Sequence, residues 1–324
     1  MGKCRLSVII SLIMLWGCSS ELEDPDLLSF YDMFVLDQAI IFPESDIYAG
    51  GNIIDGTFYD DSLFVFVDFF RRGIYYLNTL TTEITQIGTY GGGPGEYRHP
   101  AHVMVNQSGE IYFSDVTNSS ISEITIEGEY LNRIDHTEGG GKKFTVVKDG
   151  IFVQGSLVYN LLKVSKHGDI QEKLFPIDPE YIELYTRIRG GGIFAHNGKI
   201  YFMNSIDPYI YSYDIENNNQ DYLYPAPWAE IPFEMSRKGR AIHFKGHTTI
   251  DFNNIIINGK LVFVVFKERR DHREIQLIDE SGNLMLQYAT EKFFIGSQSD
   301  RLFFISTDRG NDDFTVTLYI YKVI

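Results

Sequence analysis

Short apolar runs set the rhythm of this chain, and long helical stripes do not. Six runs recur: LFVFVD from Leu63, IYFSD from Ile111, IFVQG from Ile151, IYFMN from Ile200, LVFVVF from Leu261 and LFFIS from Leu302. Their starts lie 48, 40, 49, 61 and 41 residues apart, the period of a repeated unit of four short strands. Turn-forming clusters such as QSGE, KDG and NGK precede most of them, and a second strand-like run follows, as in ISEITI, NLLKVS and EIQLIDE. The pattern predicts meanders of hairpins.

What packs on these meanders follows from their alternation. A sheet with one wet face alternates apolar and polar residues, yet Leu63 to Val67 and Leu261 to Phe266 are apolar on both faces. Both faces must be covered, and no long amphipathic helix is available to do it. The cover is therefore other sheets, and the 47 aromatic residues suit the wedge-shaped gaps between radially stacked sheets. This predicts an all-β fold, a six-bladed β-propeller with four-stranded antiparallel blades. The last unit ends at Ile324 one strand short, while MFVLDQAIIF, Met33 to Phe42, is a strand-like run without a unit. It is expected to complete the last blade and join the chain ends. The domain plan is then a leader over 1–17, a tether over 18–32 and a propeller over 33–324.

Glycine clusters punctuate the same period. Gly50-Gly51, Gly91 to Gly93, Gly139 to Gly141 and Gly190 to Gly192 lie 41, 48 and 51 residues apart, where the chain would cross from rim to axis between blades. None is a phosphate loop. The stretch TYGGGPGEYRHP lacks the Gly-x-Gly-x-x-Gly spacing, and EGGGKK has Lys143 at the Ser/Thr position of a P-loop. No cofactor is expected.

The stretch GPGEYRHPAHVMVNQSGEIYFSDVTNSSISEITIEGEYLNRI carries Gly-x-Tyr, a Pro opening the inner strand, a Gly turn, IYFSD and a further strand. It resembles an NHL repeat, and the likeness covers about Asp60 to Arg133. At the start of the chain a basic Met1-to-Arg5 region precedes an apolar run from Leu6 to Trp16, too short to span a bilayer. LWGCSS follows, which resembles the lipobox of bacterial lipoproteins, with bulky Trp16 a departure from the small residues usual there. With the repeat, the chain is similar to the NHL-like six-bladed β-propeller lipoproteins of Bacteroidota. The resemblance implies acylation of Cys18 by palmitate-type chains, which makes Cys18 the membrane attachment. The acidic SSELEDPD from Ser19 resembles the signal that sends such lipoproteins to the outer membrane's cell-surface side. A periplasm-facing location is the alternative. No reaction follows from the resemblance.

Charge narrows the partners. Without Lys3 and Arg5 the chain has 26 basic against 44 acidic side chains, a net charge near −18, which argues against nucleic acid. With Cys4 removed and Cys18 lipidated, no disulfide is available to staple the fold.

Candidate chemistry is sparse. His243 and His247 have the i, i+4 spacing of a zinc pair but lack the Glu of HExxH, contain Gly246 between them and are expected in a loop. No metal site is expected. Asp60-Asp61 and Asp312-Asp313 read as turn formers, and Asp68 and Asp115 as acceptors for the turn after their strand. Tyr97 is expected to plug an inter-blade gap while Glu96 satisfies crossover amides. Sorting loops by strand parity puts the crossovers and the second-to-third-strand turns on one face. Eleven of the 13 arginines after the leader fall there: Arg71, Arg72, Arg98, Arg187, Arg189, Arg237, Arg240, Arg269, Arg270, Arg273 and Arg309. The guanidinium fork suits carboxylate or sulfate, so Arg98, His99, Arg187, Arg189, Arg237 and Arg240 are candidate ligand-binding residues.

Three functions compete. The first is a non-catalytic envelope lipoprotein whose propeller face binds an acidic glycan or a protein partner. The second is a propeller hydrolase or lyase with a metal or acid pair at the axis, favoured if three or more of His102, Asn106, His196, Asn197 and Asp251 converge within metal-bond distance. The third is a periplasmic assembly factor.

Overall fold

The protein is described by a computed structural model covering residues 29–43, 53–106, 108–135, 143–155, 158–179, 191–204, 209–225, 234–238, 241–245, 249–269, 272–309 and 314–324, with residues 224–249 as backbone only. Cys18, the tether before Ser29, Arg187, Arg189 and Arg240 lie outside these residues.

Among the described residues, six runs of four antiparallel strands account for most of the fold, the fourth and fifth joined into one eight-stranded sheet. Unit I is Ile53–Phe58, Leu63–Asp68, Gly73–Asn78 and Ile84–Ile87. Unit II is Pro100–Val105, Ile111–Asp115, Ser120–Ile124 and Tyr130–Asp135. Unit III is Phe144–Val147, Gly150–Gln154, Tyr159–Val164 and Ile170–Pro176, and unit IV is Gly191–His196, Lys199–Asn204, Tyr209–Asp214 and Asn219–Pro225. Unit V is Thr249–Ile257, Lys260–Arg269, His272–Asp279 and Leu284–Ala289. Unit VI takes Phe293–Gln298, Arg301–Arg309 and Phe314–Val323 from the C-terminus and Phe34–Ile41 from the N-terminus. Each recurring apolar run is the second strand of its unit. The expected N-terminal strand is present, antiparallel to the last strand, with Phe34 opposite Val323 and Ile41 opposite Thr317.

The second strands are buried on both faces as the alternation required: Phe64, Val65, Phe66 and Val67 in unit I, and Phe263, Val264 and Val265 in unit V, are at most 1% exposed. Their neighbours are side chains of adjacent sheets. Phe303 of unit VI packs on Phe58 and Phe64 of unit I, and Tyr97 meets Phe113 edge-on.

First strands meet first strands at polar junctions. His102 of unit II bonds Asp55 of unit I and the Phe144 carbonyl of unit III. Units III and IV are linked instead by Gln154 and Asn204 at the ends of their second strands, and Gly191 of unit IV bridges Asp251 of unit V in parallel. Ser297 of unit VI donates to the Asn254 carbonyl of unit V, and Gln298 of unit VI accepts from the Phe58 N–H of unit I at 2.8 Å. The IV–V junction explains its glycines: a Cβ on Gly192 would sit 1.8 Å from the Phe252 carbonyl oxygen, so only glycine lets these backbones approach.

Between units IV and V, Glu234–Lys238 pairs with Ala241–Lys245. His243 is thus on a strand and not in the expected loop, because the long crossover folds back on itself as a hairpin. Among the described residues, no helix is long and apolar enough to cross a membrane.

Candidate functional site

The glycine-rich crossover from unit I to unit II is built for closure. Gly93 N–H donates to Glu96 Oε2 at 2.7 Å, and a Cβ on Gly91 would strike that same carboxylate. Tyr97 is fully buried; its hydroxyl donates to the Ile87 carbonyl at 2.9 Å and accepts from Gln86 and the Ile74 N–H. Burial holds this phenol's pKa above the ordinary value. Glu96 and Tyr97 therefore have the structural roles their sequence context predicts.

Arg98 and His99 are fixed next to them by Asp115, which accepts from the two backbone N–H groups at 2.7 and 3.3 Å and also from Thr117 and Asn118 in the following turn. Arg98 is exposed; His99 is half-buried, its ring 4.8 Å from that of Phe69. Phe69 belongs to the turn between the second and third strands of unit I, so that turn and the crossover share a face as parity predicts. Arg237 lies on Glu234–Lys238, in the segment described as backbone only.

A charged cluster at the same end of the first strands is the more developed site. Asp55, His102 and Asp251 are each the third residue of a first strand, in units I, II and V, and Lys143 immediately precedes the first strand of unit III. In units I and II a β-bulge falls just before the functional residue, between Ile53 and Asp55 and between Pro100 and His102. Such bulges re-aim a side chain. Asp55, 5% exposed, accepts from His102 Nδ1 at 2.5 Å, Lys143 Nζ at 3.0 Å and the Val103 N–H at 2.8 Å.

These contacts set the charges. Burial alone would raise the Asp55 pKa, but the His102 and Lys143 charges and the hydrogen bonds outweigh it and hold the carboxyl at about 2. Burial lowers the Lys143 pKa, and the Asp55 and Asp251 charges more than reverse that, leaving it raised. Among the described residues Asp251 has no such pairing. Burial, reinforced by Asp55 and Glu268 and only partly offset by Lys143 and His102, pushes its carboxyl up to about 6.

The cluster can orient and bind, and its apparent catalytic dyad is occupied. Both ring nitrogens of His102 face acceptors, Asp55 and the Phe144 carbonyl, so neither lone pair is turned toward a substrate. Asp251 is the open acid. Of the five residues named for an axial catalytic set, His102 and Asp251 share this field. Asn106 is tied into its own turn by Ser108 and Glu110, while His196 and Asn197 sit at the hairpin that closes the first strand of unit IV. Among the described residues no group of three or more His, Cys, Asp or Glu is arranged to hold a metal.

Sequence reasoning missed Asp55 and Lys143. The signal for Asp55 was a polar third residue right after an apolar one, shared by the first strands IID, PAH and TID; Lys143, just before its strand, has no such signal.

No family model matches the chain, and no curated protein matches it. Solved structures do. A protein of Bacteroides fragilis described as exported matches with a TM-score of 0.60 at 12% identity, over 92% of this chain and 97% of its own. A member of the DUF4221 family from Bacteroides vulgatus matches with a TM-score of 0.61 at 10% identity, over 90% and 98%. A streptogramin B lyase matches with a TM-score of 0.56 at 12% identity, over 91% and 99%. At these identities the likeness is one of fold. With the stacked four-strand meanders it defines the class: an all-β protein of the β-propeller type.

Proposed function

We propose that this chain is a six-bladed, ring-closed propeller of the NHL-like type, held on the cell envelope by lipid on Cys18, whose crossover face binds a glycan or protein partner without chemically changing it. The observation that carries the binding role is the axial cluster: its Asp–His pair is consumed by internal bonds, while Asp251 and Arg98 stay open on the crossover side. Closure is supported by the six inter-unit junctions and by the N-terminal strand completing unit VI. An envelope location is supported by the leader and lipobox pattern and by a fold neighbour described as exported. The outer-membrane surface is the preferred side, and surface protease treatment of intact cells separates it from a periplasmic assembly role, in which the protein would stay intact.

A second reading, acid–base catalysis, is favoured by one observation, the Asp251 carboxyl that titrates near pH 6. One experiment addresses anchor and turnover. Cys18→Ala is expected to leave the membrane fraction folded, because several acyl chains and no protein span hold it there. Incubated with polygalacturonate or heparin, that soluble variant is expected to leave the polymer at its original length. Continued membrane association would contradict the anchor, and shortened polymer would replace the binding reading with the catalytic one.

A further inference from the structure

The turn after the second strand has one geometry in units I and II and two very different fillings. In unit II, Asp115 accepts from the N–H groups of Thr117 and Asn118, and Ser119 takes a left-handed φ of 50°. In unit I, Asp68 accepts from Phe70 and Arg71 in the same way, the latter at 2.9 Å, and Arg72 takes a φ of 51°. The fold asks only for the acid and for a residue that tolerates positive φ, which a long side chain does poorly. Val-Thr-Asn-Ser meets that need in unit II. Phe69-Phe70-Arg71-Arg72 in unit I exceeds it: Phe70 is 71% exposed and Phe69 37%. Nothing in the turn's own bonding uses these rings.

The surroundings give the excess a direction. Phe69 lies between Phe70, whose ring is 6.0 Å away, and His99. Arg71 is drawn back toward Asp68 and Tyr75. Arg72 and Arg98 are exposed, and no ion pair engages either among the described residues. His99 is three residues from His102 along the chain, so the rings stand on the order of 10 Å from the axial cluster at a strand rise of about 3.3 Å per residue. An aromatic shelf, two open guanidinium groups and a mouth offering an ammonium and an open carboxyl thus follow one another across a single face.

Resting on the binding role proposed above, we propose that Phe69, Phe70, Arg72, Arg98 and His99 form the docking platform of the crossover face, and that it takes an acidic polysaccharide. Each part of such a polymer has a counterpart. The C–H face of a sugar ring lies on the phenyl rings, its carboxylate or sulfate meets the guanidinium forks, and its hydroxyls reach donors and acceptors at the mouth. A bilayer would instead have to cover the charged mouth, at the cost of desolvating it.

The test uses the soluble Cys18→Ala protein with polygalacturonate, heparin, uncharged dextran and vesicles of phosphatidylglycerol as probes. At least one of the two acidic polymers is expected to bind, weakening with salt, and dextran and vesicles are not. Phe70→Ala and Arg98→Ala, both at exposed positions, and Arg72→Asn, which suits the left-handed turn, are each expected to weaken binding about tenfold, with unfolding midpoints unchanged. Acidic polymer bound equally well by all three variants would overturn the platform and leave the binding role standing. Equal binding of dextran, or binding to vesicles alone, would overturn the acidic-polysaccharide assignment. No binding of any probe would overturn the proposal and the glycan form of the function together.

Discussion

Deleting residues 30–41 is expected to leave no stably folded protein at 25 °C, whereas deleting Ser19 to Asp26, a mostly acidic and polar run in the sequence, is expected to leave the unfolding midpoint within about one degree of the parent. The deleted segment carries Phe30, Met33, Phe34 and Ile40, all buried, with Phe30 stacked on Phe34 and Tyr288. At about 1.5–3 kcal/mol for each large apolar side chain, the loss is roughly 6–12 kcal/mol, comparable with the whole stability of a typical domain. The deletion also bares the edge of the strand Phe314–Val323 along its full pairing with Phe34–Ile41, which invites aggregation. Thermal unfolding of the two deletions side by side checks this. Equal midpoints would mean that the N-terminal strand does not hold unit VI together.

The second large effect comes from the axial cluster, where two carboxyls of one site respond to pH with opposite signs. Asp55→Ala removes the buried carboxylate that His102 Nδ1 and Lys143 Nζ share and leaves the Lys143 ammonium without its hydrogen-bonded counter-charge, a loss of about 3–5 kcal/mol at neutral pH. In the parent, the folded-state pKa of Asp55 is about 2, below its ordinary 3.8. Its contribution is therefore present above pH 4 and is lost as pH falls through 2. The Asp251 pKa is raised from 3.8 to about 6. Its contribution is full below pH 4 and is lost as pH rises through 6. Asp251→Asn is thus expected to raise the midpoint at pH 8 and to leave it unchanged at pH 4. Urea unfolding of both variants at pH 4, 6 and 8 reads these signs. A destabilised Asp251→Asn protein at pH 8 would mean that its carboxylate is paired in the fold and is not an open group held for a ligand.

Much of the architecture was legible because it is written locally. Runs such as LFVFVD declare two covered faces, and the glycine clusters declare crossovers. Tyr97 could be assigned to a gap because it closes the Gly-x-Tyr of the repeat, and its full burial against Phe113 bears that out. The site was less legible for a physical reason. Asp55, His102, Lys143 and Asp251 meet only because separate units bring their first strands together, and no local pattern spans that distance. The sequence singles out His102 and Asp251 only as members of an axial catalytic set and Lys143 only as part of a glycine-rich stretch, and it does not single out Asp55. The arginine count drew attention to the crossover face while overlooking Phe69-Phe70, whose difference from the matching turn of unit II shows only in the structure. The strand carrying His243 was hidden because AIHFK, five residues ending just before Gly246, is too short to declare a period.

The account stands or falls on where a ligand sits. Hydrogen exchange on the soluble Cys18→Ala protein, with and without saturating acidic polymer, measures this across the whole chain. Slowed exchange is predicted at 68–73 and 96–103, at the third residues of the first strands of units I and V, and nowhere among the opposite-face turns at 59–63, 108–110 and 126–129. Protection confined to those opposite-face turns would contradict it.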